Sequence, residues 1–199
     1  MMLENIILPD IIETPRLRLL QTVPDTQVSV MQAALRESRD ILTPWFKWAE
    51  LPETYEISTI QERLNQSRRN WANAMKKDID YPYYITDKQT GDFQGCLGIM
   101  LFDCYGKPHA ELGYWMRKAA HGEGYMPEAV QHLTDSLLDS GVLHKVTIVC
   151  RPVNVASARV AEKAGFVFEQ RGDGTLCLRD PDADHEYMVF QRAVADQSD

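Results

Sequence analysis

The chain is short of cysteine, of positive charge and of long apolar runs. Four cysteines stand among 199 residues, Cys96, Cys104, Cys150 and Cys177. None sits in a Cys-x-x-Cys pair or other metal-ligand spacing, which argues against a zinc site or a disulfide framework. A reduced, cytoplasmic setting is expected. Lys and Arg total 21 against 29 Asp and Glu, a net charge of -8. A general nucleic-acid binder, which gains affinity by laying a basic face on phosphates, is therefore not expected. No apolar run approaches the roughly 18 residues of a membrane span. Met1 to Ile12 carries acids where a signal peptide would start basic. No Gly/Ser-rich stretch marks a linker, so positions 1–199 read as one domain with its core at about Glu13 to Arg192 and short flexible termini.

What is present is periodic. Glu13 to Gln21 alternates apolar Leu17 and Leu19 with Arg16 and Arg18, the pattern of a strand ended near Pro24, and Asp25 is placed to cap a helix. That helix is read over Thr26 to Ser38, with Ile41 to Trp48 as a short apolar segment and Tyr55 to Lys77 as a long amphipathic helix. From Tyr83 the period becomes two. Tyr83 to Asp87, Cys96 to Asp103 and Ala110 to Arg117 read as sequential antiparallel strands, broken at Lys88 to Gly91 and Tyr105 to Pro108. Pro127 to Ser140 is helical up to Gly141, Lys145 to Cys150 is a strand, and Val155 to Ala164 is a helix stopped by Gly165. Phe166 to Arg171 and Glu186 to Arg192 close the sheet, separated by the turn-rich Gly172 to Gly174 and Asp180 to Asp184. The expected fold is α/β (α+β), a mixed, mostly antiparallel sheet of about seven strands flanked by helices, with no internal repeat.

His121-Gly122-Glu123-Gly124-Tyr125-Met126 falls after a strand and before a helix, where free N–H groups converge on an anion. Gly122 and Gly124 tolerate positive φ and let the backbone approach phosphate oxygens, the helix beyond adds the positive end of its dipole, and Pro127 suits a first helical turn. By itself a Gly-x-Gly turn is equally a plain tight connection. It is neither the dinucleotide fingerprint, lacking a third glycine, nor a P-loop, lacking Gly-Lys-Ser/Thr.

Its surroundings carry more. Ala110-Glu111-Leu112-Gly113-Tyr114-Trp115-Met116-Arg117 before the turn and Glu128-Ala129-Val130 after it resemble the acetyl-CoA site of the GNAT acetyltransferases. The run from Arg151-Pro152-Val153-Asn154 through Ser157 to Gly165-Phe166 resembles that superfamily's second cofactor-contacting segment. With the opening Thr14-Pro15-Arg16-Leu17-Arg18-Leu19, the likeness is to the branch containing the ribosomal-protein N-terminal acetyltransferases. The resemblance implies an acyltransferase that moves the acetyl group of acetyl-CoA to a primary amine by direct attack in a ternary complex. It places Trp115, Met116, Arg117, His121, Gly122, Glu123, Gly124, Tyr125, Met126, Asn154 and Ser157 against the cofactor. In the family the turn usually reads Gln/Arg-x-x-Gly-x-Gly/Ala, so Gly124 matches while His121 and Met126 depart. Met126 is a long side chain where the family keeps space beside the pyrophosphate, though an unbranched Met can turn away.

Such a transfer needs a neutral amine, a stabilised oxyanion and a proton source for the departing thiolate. By resemblance Glu111 accepts the amine proton, directly or through water; otherwise it is an exposed strand charge or a partner for Arg117. Asn154 and Ser157 lie three apart on one helix face. By resemblance the first holds the pantetheine arm and the second donates to the sulfur; alternatively they are an N-cap and a first-turn polar residue. The cysteines have no recognisable base beside them, and His109 with Glu111 lacks a third ligand, so neither a thiol nucleophile nor a metal is expected. His132, His144 and His185 read as structural or exposed. In this fold Ile41 to Lys77 usually walls the acceptor, so Trp45, Phe46 and Trp48 either frame an entrance or pack the core. The acceptor that the resemblance implies is a peptide or protein N-terminus; a polyamine, amino acid or antibiotic is the alternative acceptor, and a CoA-binding regulatory domain without transfer the alternative function. No nucleic acid or membrane partner is expected, and the chain is read as a monomer or homodimer.

Overall fold

The computed structural model describes residues 8–73, 76, 79–104, 107–141, 143–173, 176 and 185–194. What the alternation reads as one first strand is two. Ile11–Glu13 (β1) and Leu17–Leu20 (β2) form an antiparallel hairpin. Between them Pro15 removes a donor and fixes φ, while the Thr14 hydroxyl accepts the Leu17 N–H at 2.8 Å and closes the turn. This short hairpin raises the sheet from the expected seven strands to eight.

A 3-10 turn then leads into Val28–Glu37 (α1), followed by Arg39–Leu42 (α2). Asp25 makes no capping bond; its carboxylate takes the Arg68 guanidinium at 2.6 Å instead. The apolar Ile41 to Trp48 segment becomes the end of α2 and an aromatic loop with its own 3-10 turn at Lys47–Ala49. Ile57–Trp71 (α3) buries Ile60 and Leu64, and starts late because Pro52–Tyr55 is wound as 3-10; Lys77 lies outside the described residues. Asp80–Asp87 (β3), Phe93–Cys104 (β4) and Lys107–Met116 (β5) make the antiparallel meander. Tyr125–Asp139 (α4), Lys145–Cys150 (β6), Val155–Lys163 (α5), Val167–Gly172 (β7) and Tyr187–Ala193 (β8) complete the chain. The Asp180 to Asp184 turn is outside the described residues.

The strand order is β1-β2-β3-β4-β5-β6-β8-β7, antiparallel at every junction except β5 with β6. One face packs Leu97, Ile99, Leu101, Ala110 and Leu112 beneath Ala129, Val130, Leu133 and Leu137 of α4. The other carries Tyr84, Phe93, Cys96 and Trp115 against α1 and α3. Strand alternation divides β5 accordingly: Ala110, Leu112, Tyr114 and Met116 face α4 and α5, whereas Glu111 and Trp115 face α1 to α3. No helix among the described residues is long and apolar enough to cross a membrane.

Candidate active site

The parallel junction is short. His109 to Leu112 pair with Lys145 to Ile148, and there the ladder stops although β5 continues to Met116 and β6 to Cys150. Beyond Leu112 and Ile148 the two strands are no longer bonded to each other, which leaves main-chain groups of β5 facing a gap. Glu111, 2% exposed, occupies the last turn of pairing, opposite Thr147. It is thus neither an exposed strand charge nor the partner of Arg117, whose guanidinium forms a bidentate pair with Glu37 at 2.9 Å and 2.9 Å.

On the other side of the gap, α5 begins with Asn154 as its N-cap, the side-chain oxygen accepting Ser157 N–H at 3.1 Å. The capping reading of Asn154 therefore holds, and it leaves the side-chain NH2 free of partners among the described residues. The Ser157 hydroxyl lies 3.0 Å from the Tyr114 hydroxyl, which also donates to the Ser157 carbonyl at 3.2 Å. Cys150 is a free, buried thiol beside Ser157, and burial pushes its pKa up, so it stays protonated rather than poised as a nucleophile. Cys96 is also free. Cys177 lies outside the described residues, as does the Cys104 side chain.

The glycine turn enters α4 through two left-handed residues. Gly122 and Gly124 take φ of 88° and 75°, and Gly124 is the N-cap of α4. His121 holds the base of the turn through Nε2 to the Met116 carbonyl at 3.2 Å. Among the described residues the N–H groups of 122 to 126 find no protein acceptor, so successive donors and the helix dipole are available to an anion. Met126 is buried in the core under α4, as is Met116 in β5, so both side chains turn away from the solvent side of the turn. Trp115 turns to the opposite face, 5.7 Å from Phe93 and 6.4 Å from Trp48 between ring centroids. The Glu123 carbonyl accepts from the Arg16 guanidinium at 2.8 Å, which holds the turn from behind.

That Arg16 contact belongs to a clamp the sequence does not announce. The Glu128 carboxylate accepts the Thr14 hydroxyl at 2.5 Å, the Arg16 N–H at 2.9 Å and Arg16 Nε at 2.7 Å, while Arg16 Nη1 donates to Glu123 O at 2.8 Å. The guanidinium also lies 4.7 Å from the Tyr125 ring centroid. Burial pushes the Glu128 carboxyl up, but the Thr14 hydroxyl and the Arg16 N–H and guanidinium outweigh it and hold it below the ordinary 4.5. Glu37 is likewise lowered, chiefly by Arg117. Both groups bind a proton more weakly folded than unfolded. Their stabilisation is complete above the ordinary value of 4.5 and fades as the pH falls through the lowered folded values. Tm is accordingly expected to stay level from neutrality down to about that pH and then drop. In Glu37→Gln the drop is expected to be shallower; an equal drop in scanning calorimetry would remove Glu37 from this account.

On the far face the aromatic loop approaches the gap. Phe46 stacks on Trp48 at 5.1 Å, and the Arg151 guanidinium, just past β6, lies 5.9 Å from the Trp45 ring centroid. Trp48 is packed against the core and Trp45 is exposed. His109 is buried in β5; no group of three or more metal-ligating side chains occurs among the described residues.

The chain thus brings together a splayed strand pair with a buried carboxylate at its root, a donor-lined glycine turn and a capped helix across the gap. The sequence model described as "Acetyltransferase (GNAT) domain" matches residues 16–167. The chain belongs to the GNAT acetyltransferases. Among curated GNAT relatives, "Probable N-acetyltransferase YjcK" of Bacillus subtilis (strain 168) is 27% identical over 154 residues, covering 77% of this chain and 82% of that one. "Ribosomal-protein-serine acetyltransferase" of Escherichia coli (strain K12) is 38% identical over 60 residues, 30% of this chain and 34% of that one. The solved ribosomal L7/L12 alpha-N-protein acetyltransferase in complex with coenzyme A superposes with a TM-score of 0.74 at 19% identity, over 92% of this chain and 98% of that one. The GNAT fold is thus shared across the described sheet, and the enzyme class is acetyl-CoA-dependent acyl transfer.

Proposed function

We propose that this GNAT enzyme acetylates a primary amine by direct attack on acetyl-CoA in a ternary complex, and that the amine is the N-terminus of a peptide or protein. The observation that carries the reading is the gap beyond Leu112 and Ile148, with buried Glu111 at its root and Ser157 across it. The pyrophosphate would lie on the free N–H groups of 122 to 126, and the pantetheine arm would enter the gap beside the Asn154 amide. A neutral amine attacks the thioester carbonyl, forming the C–N bond. The oxyanion is held by main-chain donors of β5 past Leu112. The amine gives up a proton to Glu111, directly or through water. As the C–S bond breaks its electron pair stays on sulfur, which is held by the Ser157 hydroxyl and then takes a proton from water to end as the free thiol. Trp45, Phe46 and Trp48 would line the acceptor's approach. The preference for a protein N-terminus rests on the name of the Escherichia coli relative.

A thiol-release screen tests this reading, using acetyl-CoA with peptides of varied N-termini, polyamines and amino acids. Release with at least one peptide is expected. Coenzyme A binding with no release on any amine would overturn the transfer, and release confined to small amines would overturn the acceptor. The turn supplies an independent check. At Gly122 an added Cβ meets no atom within 4 Å, so Gly122→Ala acts through backbone strain at φ 88° rather than through a clash. Strain of about 1–3 kcal/mol that disturbs the donor array is expected to raise KM for acetyl-CoA about tenfold with the acceptor KM unchanged. An unaltered acetyl-CoA KM in steady-state assays would show that the turn does not hold the cofactor.

A further inference from the structure

Tyr114 is a hydroxyl that the proposed chemistry does not use. It stands on β5 three residues after Glu111 but on the opposite face, and its hydroxyl crosses the gap to α5. It is half-buried, and its phenol is pushed above its ordinary range by burial, so it keeps its proton at any working pH. A phenol has one proton, and two acceptors lie within reach: the Ser157 carbonyl at 3.2 Å and the Ser157 Oγ at 3.0 Å. The choice decides what Ser157 can do. If the phenol donates to the carbonyl, Ser157 Oγ–H must donate back to Tyr114, and its hydrogen is spent. If the phenol donates to Oγ, the serine hydrogen is released from Tyr114 and is left to the weak sulfur acceptor of Cys150 beside it or to the gap.

We propose that Tyr114 is a positioning residue that sets the direction of the Ser157 hydroxyl, donating to Oγ during turnover so that the serine hydrogen points at the departing sulfur. The inference rests on the reading of Ser157 given above. The balance of the transfer is unchanged by it. The C–N bond forms, the C–S bond breaks, the amine proton passes to Glu111 and thence to water, and the electron pair left on sulfur is stabilised by the serine hydrogen until the thiolate takes a proton from water. Tyr114 neither gains nor loses a proton. Asn154, through its bond to Ser157 N–H, fixes the same residue from the main-chain side.

A merely structural tyrosine and a hydroxyl-directing one differ in what they couple to. Tyr114→Phe is expected to lower kcat about tenfold, while KM for acetyl-CoA and the Kd of coenzyme A by calorimetry stay within about twofold. Ser157→Ala is expected to lower kcat comparably, and the double variant to be no slower than Ser157→Ala alone, since the phenol acts only through Oγ. Multiplying losses, or a risen KM with kcat intact, would overturn the proposal. If Tyr114→Phe does not fold, trifluorotyrosine at position 114 keeps shape and hydroxyl but is far more acidic. Its kcat is expected to fall at high pH on a limb absent from the parent enzyme, as the donor is lost; no new limb overturns the proposal. An unsubstituted enzyme that releases no thiol with any amine would instead sink the proposed function, so the two failures are distinguishable.

Discussion

Glu111→Gln is expected to lower kcat/KM by about 10²–10⁴-fold at pH 7, the usual worth of a positioned general base, with coenzyme A affinity unchanged. The substitution keeps size and hydrogen-bonding reach while removing the basic oxygen. Because Glu111 is buried at the end of the β5–β6 pairing and away from the glycine turn, the cofactor should not sense the change. The deficit should also depend on pH. An α-amine has an ordinary pKa of about 8, so at neutral pH much of a peptide acceptor arrives protonated and needs a base. As the pH rises toward about 9 more arrives neutral, and the gap between variant and parent should narrow. Steady-state rates across this range decide the matter. A variant within a few-fold of the parent at pH 7 would assign Glu111 a role in the fold alone.

Phe93→Ala is expected to produce the largest loss of stability. The ring is fully buried at the start of β4 and packs at 5.7 Å from Trp115, which in turn meets Trp48 at 6.4 Å. Removing it opens a cavity in the cluster that joins the sheet to α1 and α3, at a cost of about 3–5 kcal/mol. For a domain of this size that corresponds to a Tm fall of roughly 6–20 °C. The same cavity lies under the aromatic loop, so the acceptor KM should rise while acetyl-CoA KM holds. Val167→Ala, on an exposed edge strand, is the control and should leave Tm nearly unchanged. A Phe93→Ala protein that melts with the parent would mean that this cluster does not bind the helices to the sheet.

How far the sequence reveals this arrangement depends on the range of the interactions involved. Lys145 to Cys150 is legible to the residue because turn signals bracket a run of period two, and the whole run is paired. The positive φ of Gly122 and Gly124 is set by residue type and place. The β1–β2 hairpin is not legible, because β1 has three residues and the turn between them depends on a threonine side chain. Arg16 finds Glu128 across 112 positions and Arg117 finds Glu37 across 80, pairings set by the closed sheet and helices rather than by local pattern. Tyr114 is hidden for a related reason. Alternation correctly puts it on the α4 and α5 side of β5, where it reads as a core residue until α5 brings Ser157 against its hydroxyl.

The brevity of the β5–β6 pairing reaches beyond the chemistry in the gap. β1 to β5 form one continuous antiparallel plate, β6, β8 and β7 another, and a row of four residue pairs rivets them. Each plate is stiff within itself, so bending of the sheet concentrates at that row. A molecule wedged beyond it would touch both plates at once, as a keystone touches both arms of an arch.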